Sequence, residues 1–299
     1  MTDTTIDLRH LGRVNSVASH VIETTSGPVL VDVGPGSTLD VLREGLHGLG
    51  YRVADLQAIL LTHIHLDHAG ATGLLTAENP RLTVYVHERG APHLIDPTKL
   101  VESATRIFGD KMDMLWGKFL PVPVAQIQVL TGGETLSLGG RRFEVAHTPG
   151  HAIHHVTYFD AADETAYVGD TGGIHLPFLP LTVPVTPPPD FDLDTWLASI
   201  DRIEAMQPRR LFSTHFGFSG DPQTHLAQLR TGLRDWRSET RRLLEIQGTD
   251  DDRARAFERY VCGSLSGTAA PEAIDRYAAF SDIKASWYGI ARYCRKKGG

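Results

Sequence analysis

The stretch Thr62-His63-Ile64-His65-Leu66-Asp67-His68-Ala69-Gly70 places four side chains that can bind a metal within six residues. It follows residues 58–61, a short apolar run that predicts a buried strand. Alternate side chains of an extended segment point to the same side, so His63 and His65 are expected to face together at the strand end. Asp67 and His68 follow on a predicted turn. Imidazole and carboxylate are common ligands of zinc, so the stretch predicts a metal site.

Three later segments, taken together with this stretch, resemble the metal-binding segments of the metallo-β-lactamase superfamily. They are Thr148-Pro149-Gly150-His151, Val168-Gly169-Asp170-Thr171 and Ser213-Thr214-His215-Phe216-Gly217. An early strand and turn, Val31-Asp32-Val33-Gly34-Pro35-Gly36, is similar as well, and the resemblance spans about residues 6–220. The four ligand segments are specific as a set, although a triplet such as Gly169-Asp170-Thr171 is weak by itself.

The resemblance implies a dinuclear metal site with seven protein ligands. His63, His65 and His151 would bind one metal, Asp67, His68 and His215 would bind the other, and Asp170 would bridge the two. Zinc is the favoured metal, with manganese, iron and cobalt as alternatives. In such a pair the metals hold a hydroxide at neutral pH, and one of them polarises the substrate carbonyl. Asp67 is the candidate catalytic residue, because it can orient the hydroxide and pass a proton.

The other polar residues near these segments have competing interpretations. Asp32 is either a partner of a ligand histidine or the cap of a turn. His155 is a candidate supporting residue, His175 is a candidate substrate contact, and His147 is expected to be structural. The pattern gives no explanation for His154. The remaining histidines are interpreted as ordinary surface or core residues: His10, His20, His47, His87, His93 and His225.

The alternation of strands and helices predicts an α/β fold with a helical C-terminal region. The resemblance makes this a four-layer αβ/βα sandwich. Residues 1–220 are expected to form the catalytic domain, with an insertion at about 88–123 that lies over the site. Residues 221–299 are expected to be a helical extension that packs on the same domain. Within the domain, Ser37 is predicted to cap a helix that reaches about Leu49, and residues 69–75 are predicted to be helical.

The composition excludes several classes of partner. There are 29 basic and 36 acidic residues, which give a formal net charge of -7, so a nucleic acid is not expected as a partner. No apolar stretch is long enough to cross a membrane, and the first residues lack the pattern of an export signal. Cys262 and Cys294 are expected to be reduced thiols. Together these features predict a cytoplasmic protein that acts on a small molecule, and they leave the oligomeric state open.

The resemblance names a family of reactions rather than one substrate. An ester or lactone hydrolase, similar to the acyl-homoserine lactonases, fits the order of the ligands, although Gly173 stands where those enzymes often carry a tyrosine. The alternative is a glyoxalase II-like thioester hydrolase, for which the helical C-terminal region is suitable. A metal-binding sensor without turnover is a third interpretation, which the intact ligand set disfavours. Histidine at position 65 disfavours a flavodiiron enzyme, and the complete ligand set disfavours a persulfide dioxygenase.

Large apolar side chains in the insertion and near the ligand segments have two interpretations. They are Phe108, Trp116, Phe119, Phe178, Phe216 and Phe218. They either fill the core between the two halves of the domain or line an apolar channel for an acyl or aryl group.

Overall fold

The structure, a computed structural model, describes residues 3–297. Its strands are β1 (Thr4–Asp7), β2 (Ala18–Ile22), β3 (Val29–Val31), β4 (Ala58–Leu60), β5 (Thr83–His87), β6 (Ile127–Leu130), β7 (Thr135–Leu138), β8 (Arg141–His147), β9 (Val156–Asp160), β10 (Thr165–Tyr167), β11 (Arg210–Ser213) and β12 (Gly217–Ser219). Its α-helices are α1 (Leu39–Gly48), α2 (Leu66–Ala69), α3 (Thr72–Glu78), α4 (Ala91–Ile95), α5 (Thr98–Phe108), α6 (Met112–Leu115), α7 (Leu193–Ala205), α8 (Pro222–Leu244), α9 (Asp250–Leu265), α10 (Pro271–Phe280) and α11 (Ile283–Lys297).

The strands form two mixed six-stranded sheets. The first has the order β1-β2-β3-β4-β5-β6, and it is antiparallel up to β3 and parallel from β3 to β6. The second has the order β12-β11-β10-β9-β8-β7, with one parallel pair between β10 and β11. The parallel pairs matter for the site, because loops that follow parallel neighbours leave the sheet at the same edge.

Alternate residues of the strands separate the apolar core into layers. Val29 and Val31 of β3 face the space between the sheets, where Phe143 and Phe212 of the second sheet meet them. Leu30, between them in sequence, points to the opposite face and packs in a cluster with side chains of α1. The outer face of the second sheet packs against α7, α8 and α11. This arrangement confirms the predicted four-layer αβ/βα sandwich.

The helices after β12 form a compact group with its own apolar contacts. The rings of Trp236 in α8 and Phe257 in α9 lie 5.2 Å apart, and Phe257 lies 5.9 Å from Trp287 in α11. All three are buried in the cluster that also covers the second sheet. Both cysteines are unbonded. Within residues 3–297, no helix combines the length and the apolar character that crossing a membrane requires.

Two local predictions were wrong. Ser37 does not cap α1, which begins at Leu39 after a 3₁₀ turn. The hydroxyl of Ser37 donates instead to the carbonyl of Leu115, at 2.8 Å, so a contact with the insertion takes the place of the helix cap. Residues 69–75 are not one helix either, because α2 ends at Ala69 and α3 begins at Thr72. A Cβ at Gly70 would lie 2.7 Å from the Cα of Pro35, so this position requires a glycine.

Candidate metal centre

The seven predicted ligands come together beyond the carboxyl ends of the strands. His63 and His65 lie in the loop after β4, and Asp67 and His68 lie in α2. The others follow β8, β10 and β11 and are His151, Asp170 and His215. The sequence predicted that His63 and His65 lie at the end of a strand. The strand β4 ends at Leu60, so both residues lie in the loop beyond it. Folding nevertheless places all seven side chains in two adjacent groups.

The first group contains three imidazole nitrogens that converge on one point. Nδ1 of His65 lies 3.0 Å from Nε2 of His63 and 2.9 Å from Nε2 of His151. Oδ2 of Asp170 lies 3.4 Å from Nε2 of His151 and 4.0 Å from Nε2 of His63. These four donor atoms all lie within 4.8 Å of one another. Three imidazoles and a carboxylate at such distances are a set of ligands typical of zinc sites.

The second group contains Asp67, His68 and His215. Oδ2 of Asp67 lies 3.3 Å from Nε2 of His215 and 3.9 Å from Nε2 of His68. The other carboxylate oxygen of Asp170, Oδ1, lies 3.2 Å from Nε2 of His68 and 3.6 Å from Nε2 of His215. Asp170 therefore presents one oxygen to each group, which is the arrangement of a bridging carboxylate.

Two atoms in the middle of this arrangement are buried and lack a hydrogen-bond partner among residues 3–297. They are Nε2 of His68 and Oδ1 of Asp170, which lie 3.2 Å apart but are both acceptors when Nδ1 of His68 carries the proton. A buried polar atom without a partner is costly, and the interiors of folded proteins contain few of them. A cation between the groups would satisfy both atoms at once. The residues present therefore fit divalent metal ions, and both groups could hold one.

The backbone and one carboxylate set the orientation of the imidazole rings. Nδ1 of His151 donates to the carbonyl of Val185, at 2.9 Å, and Nδ1 of His215 donates to the carbonyl of Ser16, at 2.7 Å. Nδ1 of His68 donates to Oδ2 of Asp32, at 2.7 Å. When Nδ1 carries the proton, Nε2 keeps its lone pair and can bind a metal. These three contacts thus fix both the tautomer and the direction of each ring.

Asp32 is a partner of His68, a predicted ligand, rather than the cap of a turn. Its side chain is fully buried, and its carboxylate also accepts from the backbone N–H of Thr62 and from the hydroxyls of Thr62 and Thr214. These donors come from the loops after β4 and β11, so one carboxylate joins the two sheets beneath the second group. The residue also has a left-handed φ of 49°, which is uncommon outside glycine.

Three features hold the loops of His151 and Asp170 together. The indole Nε1 of Trp196 in α7 donates to the carbonyl of Thr171, at 2.9 Å, while its ring lies 5.7 Å from that of His151. Nε2 of His155 accepts from the N–H of Thr171, so its Nδ1 donates to the hydroxyl of Thr148, at 3.0 Å. Gly169 has a φ of +44°, and a Cβ there would lie 2.7 Å from Nε2 of His155. His155 therefore has a supporting role.

The carboxylates around the second group raise the pKa of His68. Burial acts first and lowers the pKa of this imidazole, but Asp170, Asp32 and Asp67 outweigh it and raise the pKa well above its usual value. In the first group, burial is the largest influence on His65 and the neighbouring His151 the next. Together they lower the pKa of His65 to about 3. Buried carboxylates need a compensating positive charge. A cation at the second group would supply it.

Three other histidines near the site have contacts of their own and do not belong to either group of predicted ligands. The ring of His154 lies 5.6 Å from that of His65, and its Nδ1 accepts from the N–H of Ile64 at 3.5 Å. His147 stacks on His87 at 4.1 Å, as expected for a structural residue. The ring of His175 contacts Thr182 and His225, while its backbone N–H donates to the carbonyl of His215. That His175 contacts the substrate stays a prediction.

Sequence reasoning missed His10, which was interpreted as an ordinary residue. Its half-buried ring stacks on Trp116 at 5.5 Å, and its Nε2 lies 2.7 Å from the carbonyl oxygen of Leu115. Burial lowers its pKa, and the charges of Asp67 and His215 also act on it, so it lies at the edge of the second group. His10 belongs to no recognisable motif, so the sequence gives no signal that it lies near the second group.

The predicted aromatic residues divide between the core and the surroundings of the site. Trp116 stacks on His10 and contacts the ring of Phe108, at 5.2 Å. Phe119 packs against the core of the first sheet. Phe218 lies on β12, where its ring contacts Phe212 and His20, so it belongs to the end of the second sheet.

Comparisons with known proteins show which family this chain resembles. The family model of the metallo-β-lactamase superfamily matches residues 12–215. The chain is 29% identical over 205 residues to the metallo-β-lactamase fold-containing protein ST1585 of Sulfurisphaera tokodaii, and the match covers 65% of this chain and 76% of that protein. It is 32% identical over 139 residues to a hydroxyacylglutathione hydrolase of Xylella fastidiosa, but this match covers only 46% of this chain and 39% of that enzyme.

The solved structures show the same fold. The metallo-β-lactamase family protein TTHA1429 from Thermus thermophilus superposes with a TM-score of 0.72, over 94% of this chain and 89% of that one. The two sequences are 22% identical in this alignment, so the likeness extends to the architecture and not to a particular reaction.

Proposed function

Because the chain belongs to the metallo-β-lactamase superfamily, we propose that it is a metal-dependent hydrolase that cleaves a carboxylic ester or a lactone. The observation that carries the proposal is the position of Asp170, whose two carboxylate oxygens face two separate groups of imidazoles. A carboxylate shared in this way is suited to a pair of metal ions and has no evident purpose in a purely structural cluster.

The proposed ligand sets are those that the resemblance implies. His63, His65 and His151 would hold one divalent metal, Asp67, His68 and His215 would hold the other, and Asp170 would be shared by the two. Zinc is favoured by the excess of imidazole over carboxylate, with manganese, iron and cobalt as alternatives. Two metal ions supply a Lewis acid for the substrate carbonyl and lower the pKa of a water molecule.

The protein side chains would orient the reactants and move protons. Asp67 is the proposed catalytic residue, because its side chain is 26% exposed whereas that of His68 is fully buried. An exposed carboxylate at the edge of the site can accept a proton from the attacking water and donate it to the leaving alcohol. Asp32 would hold His68 in place through the contact at Nδ1. We also propose that residues 1–220 form the catalytic domain and 221–299 an extension that packs on it.

A thioester is the second candidate substrate. The match to a hydroxyacylglutathione hydrolase favours it, although that match leaves more than half of both chains unaligned. An ester or lactone is placed first because Gly172 and Gly173 stand where the glyoxalase II-like enzymes carry bulky residues. A panel of acyl lactones, aryl esters and S-lactoylglutathione, assayed with protein of known metal content, would decide between them. Absence of turnover with every substrate of the panel would favour the metal-binding sensor.

The metal content is the first testable consequence. Protein purified without chelator is expected to contain about two equivalents of transition metal, measured by elemental analysis, because two complete ligand sets are present. Asp170→Ala removes the shared ligand and should reduce the content to one equivalent or less. Replacing an exposed carboxylate that is not among the proposed ligands, Asp40→Ala, should leave two equivalents. Active wild-type protein with almost no bound metal would contradict the proposal.

The ring of Trp116, which stacks on His10, gives a second testable consequence. The KM of a series of esters is expected to fall as the acyl chain lengthens. Each methylene that becomes buried should make the free energy of substrate binding more favourable by up to ~0.8 kcal/mol. Trp116→Ala should flatten this dependence and leave the metal content unchanged, because the ring touches His10 rather than a ligand. Phe218→Ala, at the end of the second sheet, is the matched control and should retain the wild-type slope. Equal slopes for all three proteins would assign Trp116 to the core.

A further inference from the structure

A cavity of about 320 Å³ lies next to the second group of ligands. Its walls are the segment Gly12–Ser16, the ring of Phe178 and one side of α10, which contributes Arg276 and Phe280. Two contacts join it to the site: the carbonyl of Ser16 accepts from Nδ1 of His215, and the ring of Phe280 lies 5.7 Å from that of His215. The volume is at the lower end of the range of small-molecule pockets.

Two arginines line this cavity and have unused hydrogen-bond donors. Arg13 donates to the carbonyl of Ala279, and Arg276 donates to the carbonyl of Val14, at 2.8 Å. A guanidinium has five N–H donors, and these are the only hydrogen bonds of either side chain within residues 3–297. In the same part of the chain neither arginine forms an ion pair, although many exposed arginines do, among them Arg43, Arg209 and Arg255.

The guanidinium of Arg276 is held in a defined plane. Its central carbon lies 4.0 Å from the centre of the Phe178 ring. An arginine stacked on an aromatic face keeps its N–H groups in the plane of the guanidinium, where they can bind both oxygens of a carboxylate. The rings of Phe178 and Phe280 supply the apolar part of the same cavity, so the cavity combines an apolar wall with two cations.

The segment 9–16, whose part Gly12–Ser16 forms the other wall, has a costly backbone shape. Arg9, Leu11 and Asn15 all have left-handed φ values, between 48° and 57°. The carboxylate of Asp7 stabilises this shape, because it accepts from the N–H groups of Arg9 and Asn15, at 3.0 and 2.8 Å. Strained segments persist mainly at functional sites, since the surrounding structure must maintain them. Leu11 and Val14 are also exposed on this segment, so burial of apolar side chains does not explain it.

We propose that this cavity binds a carboxylate at the far end of the substrate's acyl group, through Arg13 and Arg276. The inference rests on the proposed ester or lactone hydrolysis and names the class of substrate, an acyl chain that ends in a carboxylate. The cavity borders the second group through Ser16 and Phe280, which both contact His215, so an acyl chain that extends from the ligands on this side would bring its far end toward the arginines. A carboxylate is chosen because its two oxygens match the planar N–H donors of a guanidinium whose face is stacked on Phe178.

The first test compares two esters that differ in one charge. Mono-4-nitrophenyl adipate carries the terminal carboxylate, and its methyl ester does not. The wild-type protein should show at least about a tenfold higher kcat/KM for the anionic ester, as expected for hydrogen bonds to a charged group. Arg13→Met and Arg276→Met should each reduce this preference, measured as the ratio of kcat/KM for the two esters, at least about fivefold. Arg276→Lys retains the charge and should restore part of the preference.

Arg9→Met is the matched control, because Arg9 lies on the same segment but does not line the cavity. A similar loss in Arg9→Met would indicate a general effect of charge and overturn the proposal, as would equal kcat/KM for both esters in the wild-type protein. Thermal unfolding and metal content check each variant. If Arg276→Met does not fold, Arg13→Met and Arg276→Lys decide the question.

A binding measurement separates this proposal from the proposed function. Titration calorimetry compares adipamic acid with methyl adipamate, which lacks the charge. If neither ester is hydrolysed, binding alone tests the cavity, and the panel of lactones, aryl esters and S-lactoylglutathione decides the ester or lactone function separately. Tighter binding of adipamic acid to the wild-type protein, lost in Arg13→Met and Arg276→Met but not in Arg9→Met, would support the carboxylate site. Equal affinities for the two compounds in the wild-type protein would refute it.

Discussion

Asp67→Ala is expected to lower kcat by about 10²–10⁴-fold, which is the usual effect of removing a positioned acid–base group. Oδ2 of this carboxylate lies 3.3 Å from Nε2 of His215, and its side chain is the more exposed of the two carboxylates among the proposed ligands. The substitution removes a ligand together with the group proposed to accept and donate the proton. The measurement is kcat under saturating substrate, with metal supplied in excess.

Asp67→Asn separates the two roles of this side chain. The amide has the same size and its oxygen can still bind a metal, but it cannot take up a proton near neutral pH. We expect this variant to retain most of the metal and still lose most of the rate. Near wild-type kcat in both variants, with full metal content, would show that Asp67 does not transfer the proton.

Asp32→Ala is expected to destabilise the protein and to weaken metal binding, although Asp32 is not a ligand. The substitution leaves four donors without their acceptor: the N–H and hydroxyl of Thr62, the hydroxyl of Thr214 and Nδ1 of His68. Breaking a buried charged network of this kind costs about 3–5 kcal/mol. Denaturant unfolding of the metal-free protein measures this loss. Metal affinity, from competition with a chelator, should fall by roughly 10–100-fold, as for other partners of ligand histidines.

Asp32→Asn distinguishes the two effects. The hydroxyls of Thr62 and Thr214 can rotate and accept from the new amide, so the loss of stability should be smaller than with alanine. His68 still loses a charged acceptor, and metal affinity should fall in both variants. The exposed Asp40→Ala should change the unfolding free energy by no more than about 0.5 kcal/mol. If Asp32→Ala is as stable as Asp40→Ala, the buried carboxylate does not hold the two sheets together.

Local sequence patterns predicted the wrong helix boundaries where a distant segment of the chain contacts the same residues. Ser37 has the residue type and spacing of a helix cap, but the carbonyl of Leu115 takes its hydroxyl. Residues 69–75 have a helical pattern, yet the close approach of Pro35 to Gly70 is accompanied by a break between α2 and α3. In both cases the partner belongs to a different segment of the chain, and no local pattern contains it.

The sequence by itself predicted an α/β fold with a helical C-terminal region, and the resemblance of its ligand segments implied the four-layer sandwich. It also determined the types and order of the seven proposed ligands, because imidazole and carboxylate groups are properties of single residues. The grouping of those residues in the structure matches the division that the resemblance implies.

Only the tertiary structure decided which atom of each ligand faces the site and what holds it there. The carbonyls of Ser16 and Val185 orient two of the histidines, and every residue has a carbonyl, so the sequence marks neither. The same holds for the cavity beside His215, where Arg13 contacts Ala279, which is 266 positions away. Residue types specify the available chemistry, whereas contacts between distant segments arise only when the whole chain packs and thereby decide orientation and specificity.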